Sequence, residues 1–458
     1  MEYRKNDVLT LEISSLGSNG EGIAKADGFP IFIKDSVPGD VCEIRLTKVK
    51  KSLAFGRVMR IVRPSPDRVN APCPVSRQCG GCTLQAVSYD RQLGYKRDRV
   101  KECLVRIGGI DRDIIDRVTE DAVGMNEPFR YRNKAQYPIG YGRSGELTAG
   151  FFAGRSHEII SNDDCILLPK EFAGILKAML DFMKREGIAA YDEGSLTGDI
   201  RHLVLKKAFA TGQIMAVIVS SGDALPHEEA LCEALKAAGN VTTVVLNTNR
   251  DNTNVILGPE NRILCGSGYI TDILCGLKFQ ISPFSFYQVN PYIAERLYGA
   301  ALEFADLSGK EEVWDVCCGI GTITLFLAGH CRRITGIEII KEAIDDAKEN
   351  AALNGIENAD FITGAAETVL PEMAAKGRPD VVILDPPRSG MEGPALDAVI
   401  KASPEKIVYV SCDPATLARD VKHLCDAGYG IKRVRPYDQF CQSAHVEVCC
   451  LLTKTGRG

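Results

Sequence analysis

The sequence predicts an α/β protein: a C-terminal, open, doubly wound sheet preceded by a small OB-like β-barrel and an α+β central part. Two observations predict it. From about residue 276 onward, EVWDVCC, RITGIEI, DVVILDPP and KIVYVSC read as buried parallel strands, with long helical patterns between them. Before residue 62, DVLTLEISSLG, GFPIFIKDSV, DVCEIRLTKVKK and LAFGRVMRIVRP instead alternate apolar and polar residues between Gly and Pro breaks.

Several short strands in so few residues suit a barrel of OB size. Its last strand leaves through RPSPDR, a Pro-rich boundary. The segment SLGSNGEGIA at Ser15 to Ala24 and the Pro-Gly-Asp turn at Pro38 to Asp40 resemble a TRAM domain, an RNA-binding barrel attached to RNA-modifying enzymes. The expected organisation is a barrel over 1–62, a cysteine-rich loop over 63–92, a central α+β domain over 93–275 and the doubly wound domain over 276–458.

Composition fits this division. The 458 residues predict two to four domains, and 45% hydrophobic with 25% charged residues is ordinary for a globular chain. No apolar run approaches the roughly 20 residues that span a bilayer, and MEYRKNDVLT has no signal-peptide core. A cytoplasmic protein without membrane contact, and a monomer, is expected. Net charge is −5, but residues 1–110 hold 19 Lys+Arg against 12 Asp+Glu, and the remainder 36 against 48. A basic N-terminal quarter on an acidic body suits a module that binds polyanions.

The chemistry-bearing motifs lie in the last domain. EVWDVCC runs into Gly319-Ile320-Gly321-Thr322, a strand-turn-helix that lets backbone approach a ligand. Glu338 follows 19 residues after Gly319, placed to accept hydrogen bonds from ribose hydroxyls. Thr324 occupies the third position of the dinucleotide pattern, which disfavours NAD. S-adenosylmethionine, with a ribose and no phosphate, needs only the turn and the acid. Asp385-Pro386-Pro387-Arg388 makes a stiff loop at the next strand end, holding Asp385 at the mouth. Such loops are typical of enzymes that methylate nucleobases.

Cys412 ends the fourth strand, just before the helical DPATLARD. A helix N-terminus there is expected to favour the thiolate. Glu447 lies inside an otherwise apolar strand, HVEVCCLLT, where a carboxylate is costly unless used, or else faces water from an edge strand. His445 beside it receives no catalytic role.

FSFYQVN at Phe284 to Asn290, DVCCGIGT at Asp315 to Thr322, GIE ending at Glu338, DPPR, SCDPATLARD and HVE together resemble the RNA uracil-5-methyltransferases, across essentially the whole chain. The resemblance implies that the Cys412 thiolate adds to uracil carbon 6 and that Glu447 removes the carbon 5 proton. It places Gln288, Cys317, Glu338 and Asp385 against the cofactor, with Thr322 a further candidate. Cys317 stands where relatives often carry an aromatic residue.

Cys73, Cys79 and Cys82 are spaced C-x5-C-x2-C, and Cys165 in SNDDCILLP is the expected fourth ligand. Four thiolates suit zinc or an iron–sulfur cluster, and spacing does not choose; the resemblance favours [4Fe–4S]. The resemblance also points to 23S ribosomal RNA, because the transfer RNA branch is expected to lack both barrel and cluster. Lys48, Lys50, Lys51, Arg57 and Arg60 would contact phosphates, and Phe129, Tyr131 and Arg132 would read RNA. The alternatives are a transfer RNA enzyme, a radical iron–sulfur enzyme, which would need C-x3-C-x2-C, and a non-catalytic RNA scaffold.

Overall fold

In the computed structural model, residues 3–154 and 156–455 are described, so the outermost residues of the first and last expected domains lie outside them. The barrel comprises β1 (Val8–Glu12), β2 (Ser15–Leu16), β3 (Gly22–Ala26), β4 (Phe29–Lys34), β5 (Val41–Val49) and β6 (Ala54–Arg63), in the order β1-β5-β6-β4-β3-β2. Successive pieces of one segment, β1 and β2, stand at opposite ends of that order, so the sheet curls round on itself. Ile31, Ile33, Ile44 and Leu46 fill its interior. The sequence reading lacked β3, whose Gly22 interrupts the alternation. A Cβ there would fall 2.1 Å from Ser36 Oγ, so the close approach requires glycine. The Pro-Gly-Asp turn ends in a buried Asp40 that accepts from Val37 N and Ser65 N and pairs with Arg68, clipping the barrel to its exit.

Next come α1 (Tyr89–Arg106) and α2 (Arg112–Val118). Then β7 (Lys134–Tyr141), β8 (Leu147–Phe152), β9 (Ile159–Ser161), α3 (Glu171–Glu186), β10 (Ile200–Lys207), β11 (Ile214–Ser220), α4 (Glu228–Ala238), β12 (Val241–Thr248) and β13 (Glu260–Cys265) build a seven-stranded sheet, β13-β12-β11-β10-β7-β8-β9. Helices α3 and α4 cover it through Phe172, Ile175, Met179, Leu231 and Leu235. By contrast, α1 and α2 bury Val100, Leu104 and Ile115 in the core of the last sheet. The hairpin β14 (Ile270–Leu274) and β15 (Leu277–Ile281) packs into that sheet's other core, so position 276 falls in its turn.

The last part comprises α5 (Pro291–Ala305), β16 (Glu312–Val316), α6 (Thr322–Ala328), β17 (Arg333–Glu338), α7 (Lys341–Leu353), β18 (Ala359–Thr363), α8 (Ala366–Lys376), β19 (Val381–Leu384), α9 (Gly393–Ala402), β20 (Lys406–Ser411), α10 (Pro414–Asp426), β21 (Tyr429–Tyr437) and β22 (Glu447–Lys454). The order β18-β17-β16-β19-β20-β22-β21 is parallel through β20, then antiparallel. This is the doubly wound α/β class expected. The order reverses between β16 and β19, opening a crevice at the strand C-termini. Among the described residues, no helix is long and apolar enough to cross a membrane.

Candidate active site

Strand β20 ends at Ser411, and Cys412 begins the turn into α10. The register Ser411↔Val448, carried one residue further, sets Cys412 across from Glu447. Opposed residues of an antiparallel pair share a face, with Cβ atoms about 4.5–5.5 Å apart. Glu447 is 3% exposed, and β22 lies between β20 and β21, so it is not a water-facing edge residue. Burial pushes its carboxyl up to about 7, against the opposing pull of Arg388.

At Cys412 the structure sets other groups against the helix-end effect expected to favour the thiolate. Burial, then the carboxylates of Glu447 and Asp385, push the thiol up to about 11, and only Arg388 and a backbone hydrogen bond oppose them. The helix N-terminus does not help, because the Asp413 carboxylate already accepts from Ala415 N at 2.8 Å and Thr416 N at 3.3 Å.

The turn after β16 is held by Cys317 N and Cys318 N, which donate to Ile337 O at 2.8 and 3.0 Å. Gly321 takes φ +80, and a Cβ there would meet Ala347 and Phe361 at 3.2 Å. Glu338 accepts from Gly319 N and Ile340 N, both at 3.1 Å, which fixes its carboxylate beside the turn. Asp385 follows β19, and burial with the charges of Glu447 and Asp315 holds its carboxyl well above the usual range. Burial, then Glu338, Asp385 and Asp315, push the Cys317 thiol up to about 12. The structure therefore brings Cys317, Glu338, Asp385, Cys412 and Glu447 into one connected field. The Thr322 hydroxyl is 2.9 Å from Tyr298 Oη, and Tyr298 in turn feels Asp385 and Asp315.

Sequence reasoning passed over Asp315. It is fully buried in β16, takes a hydrogen bond from Thr324 Oγ1, and leaves Oδ1 without a partner. Burial pushes its carboxyl up to about 7. The available signal was a carboxylate enclosed by apolar residues in VWDV of that strand.

Gln288 is 7% exposed, and its Oε1 accepts from Gln439 Nε2 at 2.8 Å. This contact ties it to the loop before Glu447 rather than to the carboxylates. Lys206 Nζ donates to the carbonyls of Ser282, Pro283 and Ser285, and Tyr287 Oη to Asp272, so this segment is anchored while Phe284 and Phe286 stay exposed.

Cys73, Cys79, Cys82 and Cys165 share one neighbourhood: Cys82 feels the other three, and Cys82 and Cys165 pack in one small apolar cluster. Gly80 N donates to Phe152 O at 3.0 Å, wrapping the loop against β8. Among the described residues, however, no three His, Cys, Asp or Glu side chains are grouped closely enough to hold a metal ion. Of the proposed RNA readers, Tyr131 is corrected: it is 1% exposed and donates to Cys441 O, so it is a core residue. Phe129 and Arg132 are half-buried; Lys48, Lys50, Lys51, Arg57 and Arg60 are exposed.

A tRNA (Uracil-5-)-methyltransferase family model matches residues 259–455, and a TRAM domain model matches 4–59. An uncharacterized RNA methyltransferase of Halalkalibacterium halodurans is 46% identical over 450 residues, covering 98% of this chain and 97% of that protein. One from Clostridium tetani is 44% identical over 455 residues, covering 99% and 98%. The crystal structure of the Pyrococcus abyssi tRNA (uracil-54, C5)-methyltransferase in complex with S-adenosyl-L-homocysteine is similar at TM-score 0.78 and 28% identity, covering 97% of this chain and 100% of that one.

Proposed function

The chain belongs to the RNA uracil-5-methyltransferase family, and on that premise we propose that it methylates carbon 5 of a uridine in RNA, using S-adenosylmethionine, with Cys412 as nucleophile and Glu447 as base. The observation that carries this is the placement of Cys412 across from Glu447, beside the turn that Glu338 and Asp385 border.

Uracil carbon 5 is a poor nucleophile until a thiolate adds to carbon 6 and makes an enolate. The Cys412 thiol releases its proton to solvent, its anion favoured by Arg388 against the charges of Glu447 and Asp385, and its sulfur bonds to carbon 6. When bound, S-adenosylmethionine would supply an electrophilic methyl group for carbon 5 and leave as S-adenosylhomocysteine. Glu447, near 7, then takes the carbon 5 proton, and the electron pair left behind expels Cys412. Glu338, Asp385, Cys317, Thr322 and Gln288 are assigned to the cofactor, and Asp315 joins them through its unpartnered oxygen. The target base must leave its stack to reach this pocket, and the exposed Phe284 and Phe286 offer rings on which unstacked bases pack.

The same proposal includes a [4Fe–4S] cluster on Cys73, Cys79, Cys82 and Cys165. Four cysteines supply donors of the right type, and Cys82 feels the other three, although among the described residues their side chains are not gathered to metal-binding distance; no catalytic step passes through the cluster. A monomeric, cytoplasmic enzyme is assumed.

The proposed substrate is 23S ribosomal RNA, supported by the exposed cations on the barrel. A transfer RNA reading stands beside it for a specific reason. The Pyrococcus tRNA enzyme covers 97% of this chain, which leaves too little unmatched to exclude the barrel, so a barrel does not by itself set the substrate. Methyl transfer to 23S RNA and to unmodified transfer RNA at the same salt decides. Preferential labelling of transfer RNA overturns the ribosomal assignment, and a Cys412→Ala variant with more than a few per cent of activity overturns the mechanism.

A further inference from the structure

Between the barrel, α1 and the two catalytic loops lies a groove of about 740 Å³, within the range of ligand pockets, roughly 300–1,000 Å³. Its walls come from three places: Ser18 of the barrel, the α1 face of Arg91, Tyr95 and Arg99, and Ala415 with Ala444. Ala415 stands three residues after Cys412 and Ala444 three before Glu447. The groove is thus built on the backbone that carries the reacting pair.

We propose that this groove binds the RNA strand flanking the target uridine, a phosphate on Arg99 and a base on the Arg91–Tyr95 stack. The proposal rests on the uridine-methylation reading and extends it to the path of the neighbouring nucleotides.

Charge supports a phosphate. Arg99 Nη1 donates to Ser18 O at 2.9 Å and Ala444 O at 2.7 Å, both neutral acceptors. Among the described residues no ion pair neutralises Arg99, and its remaining N–H groups are free for an anion. The acids of the groove are already engaged: Glu102 pairs with Arg106 and Arg112, and Asp98 with Arg97. Shape supports a base. The Arg91 guanidinium lies 4.4 Å from the centre of the Tyr95 ring, a flat cation–aromatic surface of the kind on which unstacked bases pack. The connection to the active site runs through His445. It is exposed, follows Ala444 of the groove wall and stands two residues before Glu447, so the chain runs directly from the groove to the reacting pair. A strand leaving the flipped uridine past His445 meets Arg99, held in place by Ser18 O and Ala444 O.

The test uses the full chain with an RNA carrying 5-fluorouridine at the target and 4-thiouridine one nucleotide to either side. The fluorinated base traps the Cys412 adduct, which reports the methylation reading by itself. Light then links the thiouridine to its neighbour, and peptide mapping is expected to place the link within α1, residues 89–106. In parallel, Arg91→Glu and Tyr95→Ala are expected to raise the KM for RNA about tenfold. Arg99→Gln, which removes the cation assigned to the phosphate, should also flatten the salt dependence of RNA binding by about one phosphate contact. S-adenosylmethionine affinity and melting temperature should not move. Adduct formation with links only outside α1, or variants with unchanged KM and salt slope, overturns the groove and leaves the methylation reading standing. Failure to form any adduct overturns both.

Discussion

Replacing Asp315 with Asn removes a charge that the fold holds at a cost, and the size of that cost follows from its burial. The carboxyl sits at about 7 in the folded chain against an ordinary 3.8. Below 3.8 it is protonated in both states and costs nothing. Between 3.8 and about 7 the unfolded chain ionises while the folded one does not, so stability falls by about 1.4 kcal/mol per pH unit. Above 7 the loss levels off at about 4 kcal/mol. Asn carries no such penalty. It keeps an acceptor for Thr324 but buries an amide that lacks a partner, and that cost, about 1–3 kcal/mol, does not vary with pH. The comparison of two pH values isolates the charge. Relative to the unsubstituted protein, Asp315→Asn should be better by about 3 kcal/mol at pH 8 than at pH 5. For a domain of this size that is roughly 6–12 °C in melting temperature. The assay is a melting curve of both proteins at both pH values. An equal shift at pH 5 and pH 8 would refute the reasoning. If Asp315 faces the cationic cofactor, S-adenosylmethionine affinity should also rise through pH 7 in the unsubstituted protein and stay flat in the variant.

Glu447→Gln should complete methyl transfer and then stall, leaving a covalent RNA adduct visible as a slower band on a denaturing gel; normal turnover with free enzyme only would refute its role as base. Arg388 lowers both Cys412 and Glu447, so in Arg388→Gln both rise and the ascending limb of the pH–rate profile moves to higher pH. Activity at pH 7 should fall about tenfold and recover as pH is raised; a parallel drop at every pH would refute that account. Gln439→Leu removes the donor that orients the Gln288 amide and should weaken S-adenosylmethionine binding about tenfold, a loss of about 1–2 kcal/mol, as read by calorimetry; unchanged affinity refutes it. Protein purified without oxygen should be brown, with broad absorbance near roughly 400 nm, and Cys79→Ser should bleach it; colourless protein with stoichiometric zinc would replace the cluster with a zinc site.

The strand-turn-helix of β16 and α6 and the acid at Glu338 were legible because one short stretch of chain carries both the turn and its carboxylate. The pairing of Cys412 with Glu447 was legible only through family resemblance. Its physical cause is the register of β20 with β22, and β21, which completes that arrangement, was hidden by the charged pattern YGIKRVRPY. Edge strand β18 was missed because ADFIT is short and only half-buried. The forces on the Cys412 proton were only partly legible for a related reason. They depend on Asp385 and Glu447, which no local reading places beside the thiol, and on Asp413, which occupies the helix end expected to favour the thiolate. Tyr131 looked like a surface reader beside two arginines, but its hydroxyl is spent on Cys441 O in the interior.

The insertion of β22 between β20 and β21 has a bearing on when activity first arises as the chain folds. Strand β21 precedes β22 in sequence but joins the sheet only through it. A chain folded as far as β20 has its cofactor turn and its cysteine, yet ends on a bare strand edge with no carboxylate across from the thiol. On the proposed mechanism such an intermediate is catalytically silent, and it is also sticky, because an unpaired edge templates pairing with other chains. Docking the β21–β22 hairpin removes both conditions together: it covers the edge and delivers Glu447. On the same mechanism, turnover is coupled to completion of the sheet.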